Sequence, residues 1–131
     1  MKHILFSLML FTLAAPLAGQ GSYLKVWPVD TLTNAENDTL LLPVAFKDEN
    51  AFFWQINAVQ LSGTSAAVAR VQVSLDNALW INTGDTLAIA GSTAGKILGT
   101  SFAPRMRVII YQTGTSSTKY NVSALVRKRL F

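Results

Sequence analysis

Seven carboxylates hold whatever acid–base potential this chain has: Asp30, Glu36, Asp38, Asp48, Glu49, Asp76 and Asp85. Two of them about 5 to 10 Å apart would suit glycoside hydrolysis, one protonating the leaving oxygen and the other serving as nucleophile or base. All except Asp30 fall in turn-like contexts, where Asp is favoured because its carboxylate caps nearby backbone amides, so turn chemistry is the stronger reading. Other chemistry is excluded by composition. The chain has no Cys and its single His is His3, which removes disulfides, thiol nucleophiles, Cys-bearing zinc sites and imidazole-based triads from the rest of the sequence. Asp76, Asn77, Asn82 and Asp85 flank one short run and offer oxygen ligands of the kind calcium takes, but their spacing matches no calcium loop. The stretch GSTAGK at 91–96 lacks phosphate-loop spacing and reads as a turn. The sequence therefore predicts a protein that is not an enzyme and holds no cofactor or metal.

Aromatic residues offer binding chemistry instead. An exposed Trp is a platform for a sugar ring, whereas a buried one plugs a core, so Trp27, Trp54 and Trp80 are the candidate glycan-stacking residues. For Trp80 the sequence favours core burial. In the triple Phe52, Phe53, Trp54, extended backbone puts Phe52 and Trp54 on one face and Phe53 on the other, so both faces need cover. These three residues, with the basic end Arg127, Lys128 and Arg129, are the candidate interface.

The elements that must position these residues are strands. Val, Ile, Thr and aromatic residues gather in short runs separated by Gly, Asn, Asp and Ser, and no long run has the three- and four-residue apolar spacing of a helix. Runs at 23–29, 39–46, 52–61, 66–75, 78–81, 86–90, 97–102, 105–112 and 119–127 predict an all-β, antiparallel β-sandwich of eight or nine short strands, jelly-roll or Ig-like. From Val71 onward the odd positions Val71, Val73 and Leu75 should face the core; Val68 breaks that parity and implies a bulge or a later strand start. Pro43 has no N–H to give, so its run should be an edge strand or stop there.

Residues 1–20 have a signal-peptide layout: Lys2, an apolar run from Ile4 to Leu13, then small and turn-forming residues around Pro16 and Gly19. The run is about half of what spans a bilayer. Cleavage between Ala18 and Gly21 is expected, leaving residues 21–131 as one exported sandwich domain; a retained segment would be its only membrane contact. With half of its residues hydrophobic and 14% charged, the chain has enough apolar material for a packed core.

Charge is uneven. Residues 21–85 hold all seven acids and three bases, while residues 86–131 hold seven bases and no acid. The cluster at 127–129 reads first as solvation of a terminal edge strand, next as contact with an acidic neighbouring subunit, and last as a nucleic-acid footprint.

Four segments in order, DTLTNAENDTLLLP (30–43), VQVSLDNALW (71–80), RMRVIIYQTGTSS (105–117) and a final strand ending VRKRL, resemble a group of small β-sandwich proteins from phages of Bacteroidetes-type bacteria. Asn77 stands where that pattern more often has Gly, and the export signal is a further departure. The resemblance implies a virion accessory or surface protein: a structural module working as a homo-oligomer or beside other assembly subunits. The second expectation is a secreted carbohydrate-binding or adhesion domain whose partner is a glycan.

Overall fold

The computed structural model describes residues 22–43, 45–64 and 66–128, and contains strands and turns but no helix among them. The expected signal segment and Arg129 lie outside the described residues. The strands are β1 (Ser22–Val26), β2 (Asp30–Thr33), β3 (Asn37–Leu41), β4 (Asn50–Gly63), β5 (Ala66–Ser74), β6 (Ile81–Ala90), β7 (Thr93–Ser101), β8 (Arg105–Thr113) and β9 (Ser116–Lys128).

They form two antiparallel sheets. One runs β1–β9–β4–β7, with β2 following β1 along the same edge of β9; the other runs β3–β8–β5–β6. The pairs β2·β9, β3·β8, β4·β7 and β5·β6 nest inside one another. The chain is thus a long hairpin with its tip between β5 and β6, rolled so that successive pairs alternate between sheets. That nesting is a jelly roll and decides against the Ig-like alternative.

Local chemistry sets the strand limits. Pro28 has no amide hydrogen, and the expected run 23–29 ends early as β1 at Val26; the chain resumes at Asp30 as β2, a strand the expected runs did not include, with the Trp27 amide donating to the Val122 carbonyl at 3.0 Å on the way past. β3 stops at Leu41, two residues before Pro43, and is an edge strand. The expected strand at 78–81 is a turn instead. The Asp76 carboxylate accepts the amides of Ala78 (2.9 Å) and Leu79 (3.0 Å), and the Asn77 amide donates to Ser74 Oγ, so these groups are not free to join a ladder. Asn77 takes a positive φ of 66°, which Asn tolerates and which fits its occurrence at a Gly-favouring position.

The inward faces supply Phe52, Trp54 and Ile56 of β4, Tyr120, Val122 and Val126 of β9, and Met106, Val108 and Ile110 of β8. On β5 the inward residues are Ala67, Ala69 and Val71, so Val68 lies on the outer face with parity unbroken. The irregularity sits between β5 and β6, where Arg70 pairs with Thr86 but Gln72 with Asn82, the surplus residues including Gly84 at φ 91°. Leu75, expected in the core, is 81% exposed because β5 ends one residue earlier.

One polar side chain ties the sheets together from inside. Gln112, on the inner face of β8, donates from Nε2 to the carbonyls of Leu32 (3.1 Å) and Asn34 (3.0 Å) and accepts the Tyr120 hydroxyl at Oε1 (2.9 Å). Burial pushes the Tyr120 phenol above its usual range, which keeps the donated proton in place.

Candidate functional site

The outer face of the β1–β9–β4–β7 sheet bears a row of apolar side chains perpendicular to the strands. Leu24 pairs with Leu125, Leu125 with Phe53, and Phe53 with Leu98, so one cross-strand line runs through all four strands. Leu24 and Leu98 are 66% and 53% exposed, and Phe53 and Leu125 are half-buried. Phe53 lines two shallow depressions: one of about 290 Å³ with Ala51, Leu98, Leu125 and Arg127, the other of about 310 Å³ with Gln55, Asn57, Ala94 and Lys96. Charges flanking the row are Lys96, Lys119 and Arg127, and no acid takes an outward position on β1, β4, β7 or β9.

On the opposite sheet the outer face carries polar and aromatic side chains among the apolar Leu41, Val68 and Ile109. Trp80, in the turn before β6, lies beneath the Arg107 guanidinium, 4.1 Å from its ring centroid. Arg107 Nε donates to Gln72 Oε1 at 2.8 Å, and Gln72 Nε2 donates to Asn82 Oδ1 at 2.9 Å. Arg70 stands over Tyr111 at 5.5 Å on the same face.

The two sheets meet two kinds of ends. At one end Asp30 and Asp38 are close enough to interact. Burial, then the Asp30 charge, pushes the Asp38 carboxyl above its usual value, against a donated Thr39 amide. Glu36 accepts the Thr33 amide at 2.6 Å and Asp30 that of Thr31 at 2.7 Å, so each of these acids has a backbone partner; Glu36 lies in the expected turn, but Asp38 does not, being part of strand β3, and Asp30 belongs to β2. At the other end an apolar cleft of about 270 Å³ is lined by Val73, Leu75, Leu79, Ile81 and Ala103, with the Asp76 turn as its rim. The amides of Ala78 and Leu79 and the Ser74 hydroxyl hold Asp76 below the usual carboxylate range.

Several sequence-based expectations are corrected here. Trp54 has no exposed surface and Phe52 almost none, because both belong to the inward-facing parity of β4; neither reaches a sugar or a neighbouring subunit, and of the triple only Phe53 faces out. Trp27 stacks on Trp54 with centroids 5.3 Å apart and planes at 20°, which closes one of its faces. Trp80 is not in the core but half-buried on the outer face under Arg107. The basic end does not solvate an edge strand, because β9 lies between β4 and the β1/β2 edge. Lys128 pairs with Asp48 at 2.7 Å, so one contact between the basic end and the acidic part of the sequence is made within the chain, while Arg127 remains beside the apolar row. Leu24, Leu98 and Leu125 were missed by sequence reasoning. Their signal was present as apolar residues opposite in parity to core neighbours, but only strand register shows that they align.

The sequence matches no protein-family model and no curated protein. Its fold is similar to those of solved structures at very low identity. The PBSX exported protein XepA superposes with a TM-score of 0.62 at 10% identity, over 83% of this chain and 38% of that one. A chain of infectious bursal disease virus, Gx strain, gives a TM-score of 0.60 at 7% identity over 84% and 32%. The CBM22-1–GH10 modules of Clostridium thermocellum endo-1,4-β-D-xylanase 10B, complexed with xylohexaose, give 0.54 at 11% over 84% and 25%. This chain therefore spans well under half the length of each. At these identities the likeness defines the class, a β-sandwich, and carries no phage-group relationship.

Proposed function

We propose that this protein is a non-catalytic structural module, exported and built into a virion or extracellular assembly, which joins neighbouring copies through the outer face of its β1–β9–β4–β7 sheet. The observation that carries this reading is the apolar row Leu24, Leu125, Phe53, Leu98, continuous across four strands and accessible from solvent. Scattered apolar residues are ordinary on a surface, but an aligned row flanked by charge fits a contact site. The charges specify how copies meet. Two such faces laid together would oppose Lys96, Lys119 and Arg127 with their own kind, whereas the end bearing Asp30, Glu36 and Asp38 offers the complementary sign, so the contact is head to tail and propagates. The reading as a Trp-platform glycan binder is less well supported, since Trp54 is buried and Trp27 has one face closed.

Light scattering after size exclusion of the protein tests this, at low and high salt and across a concentration series. The expected result is concentration-dependent association that Phe53→Lys abolishes while circular dichroism stays unchanged, because the side chain points away from the core. A wild-type protein that is strictly monomeric in both salts at high concentration overturns the proposal.

A further inference from the structure

We infer that the outer face of the β3–β8–β5–β6 sheet is a second binding site, for an acidic polysaccharide, with Arg107 and Arg70 as its anion-reading groups. This inference does not rest on the assembly reading, because it concerns the opposite face of the sandwich.

Three observations carry it. The first is charge. Arg70, Arg105 and Arg107 occupy outward positions here, no acid does, and among the described residues none of the three arginines forms an ion pair. Cations without partners on a single sheet face repel one another, so a ligand that brings negative charge is favoured there.

The second is preorganisation. The Arg107 guanidinium carbon sits over the Trp80 ring, 4.1 Å from its centroid, and its Nε is fixed by Gln72 at 2.8 Å, which is fixed in turn by Asn82 at 2.9 Å. Gln72 is almost fully buried, so this support is rigid. The bond uses Nε and leaves both Nη groups without a partner among the described residues, and that pair of nitrogens can take the two oxygens of a carboxylate or sulfate together. Arg70 stands over Tyr111 at the longer distance of 5.5 Å, within cation–π reach. It lies opposite Ile109, two residues along β8 from Arg107's own position, so the two guanidinium anchors are one strand apart and roughly 7 Å apart along the strand direction.

The third is the surrounding chemistry. Asn37 and Thr39 of β3 and Asn82 and Thr86 of β6 border the arginines at outward positions, offering paired donors and acceptors of the kind that sugar hydroxyls require. A single-stranded nucleic acid would need open aromatic faces for its bases, and here a guanidinium lies over each ring. Acidic sugar therefore fits better than nucleic acid.

The test is titration of the protein with polygalacturonate, dextran sulfate, uncharged dextran and oligo(dT), all at one ionic strength, followed by calorimetry. Binding to either acidic polysaccharide, with uncharged dextran silent and oligo(dT) weaker, is expected. Arg107→Lys keeps the charge but loses the fork and the stack, and should weaken binding about tenfold. Arg70→Lys should act in the same direction, while Lys96→Gln and Lys119→Gln on the other face should leave affinity unchanged. Failure of both acidic polysaccharides to bind overturns the inference. So does oligo(dT) binding as tightly as the polysaccharides, or affinity indifferent to both Arg→Lys changes, since either result describes general attraction between charges. None of these outcomes depends on whether the protein self-associates.

Discussion

Gln112→Leu should be among the most damaging substitutions in the core, even though it replaces a polar residue with an apolar one of similar size. The side chain makes four hydrogen bonds: its amide donates to the carbonyls of Leu32 and Asn34, at 3.1 and 3.0 Å, and at 3.5 Å to that of Ser116, and its Oε1 accepts from Tyr120 at 2.9 Å. Each is worth about 1 kcal/mol net, and a stranded donor costs more than a lost bond, so the expected destabilisation is about 2–3 kcal/mol after some return from burying leucine. With an unfolding entropy of about 2.1 cal/mol/K per residue over roughly 110 residues, the melting temperature should fall by about 9–13 °C. Part of that loss is the Tyr120 hydroxyl left buried without an acceptor. Tyr120→Phe alone should cost about 1 kcal/mol, yet added to Gln112→Leu it should cost nothing or restore up to about 1 kcal/mol. Calorimetric unfolding of the wild type, both single variants and the double variant closes the cycle. Strict additivity of the two substitutions would refute the network as described.

Two further predictions concern parity and charge. Gly99→Ala should destabilise by about 1–3 kcal/mol, since a Cβ there would collide with the ring of core residue Phe52, while the adjacent outward Leu98→Ala should cost less than about 1 kcal/mol in the same urea titration. The folded-state value of Asp76 lies below its ordinary 3.8, so its contribution is complete above that pH and is lost as pH falls through the depressed value. Acid unfolding of Asp76→Asn should therefore be flatter below pH 3.8 than that of the wild type, and parallel curves would show that the turn does not depend on the charge.

The sequence made the fold class readable because alternation and turn residues are local. The alternation in Phe52, Phe53 and Trp54 already put Phe52 and Trp54 on one face and Phe53 on the other, and Pro43 already marked the end of its strand. Two errors share one cause. The 78–81 segment has strand-like residues, but Asp76 takes their amides first; the 23–29 segment looks continuous, but Pro28 withholds a donor. Capping and missing donors outweighed propensity in both. The outer faces were least readable. That Leu24, Leu125, Phe53 and Leu98 form one row, or that Arg107 meets Trp80, follows from registers between segments that lie as much as 101 residues apart in the chain, as with Leu24 and Leu125. No local pattern encodes that.

The nested hairpin has a consequence for the order in which the molecule can form. β9 pairs with β1, β2 and β4 at once, so the sheet it belongs to is held together by the last of the strands among the described residues. Until β9 is available, β1 and β2 have no partner in their sheet and β4 has only β7 beside it there. Closing contacts over such separations is slow, because loop entropy is lost before the pairing rewards it. A chain of this topology therefore cannot complete that sheet before β9 is in place, whatever has already formed in the other one.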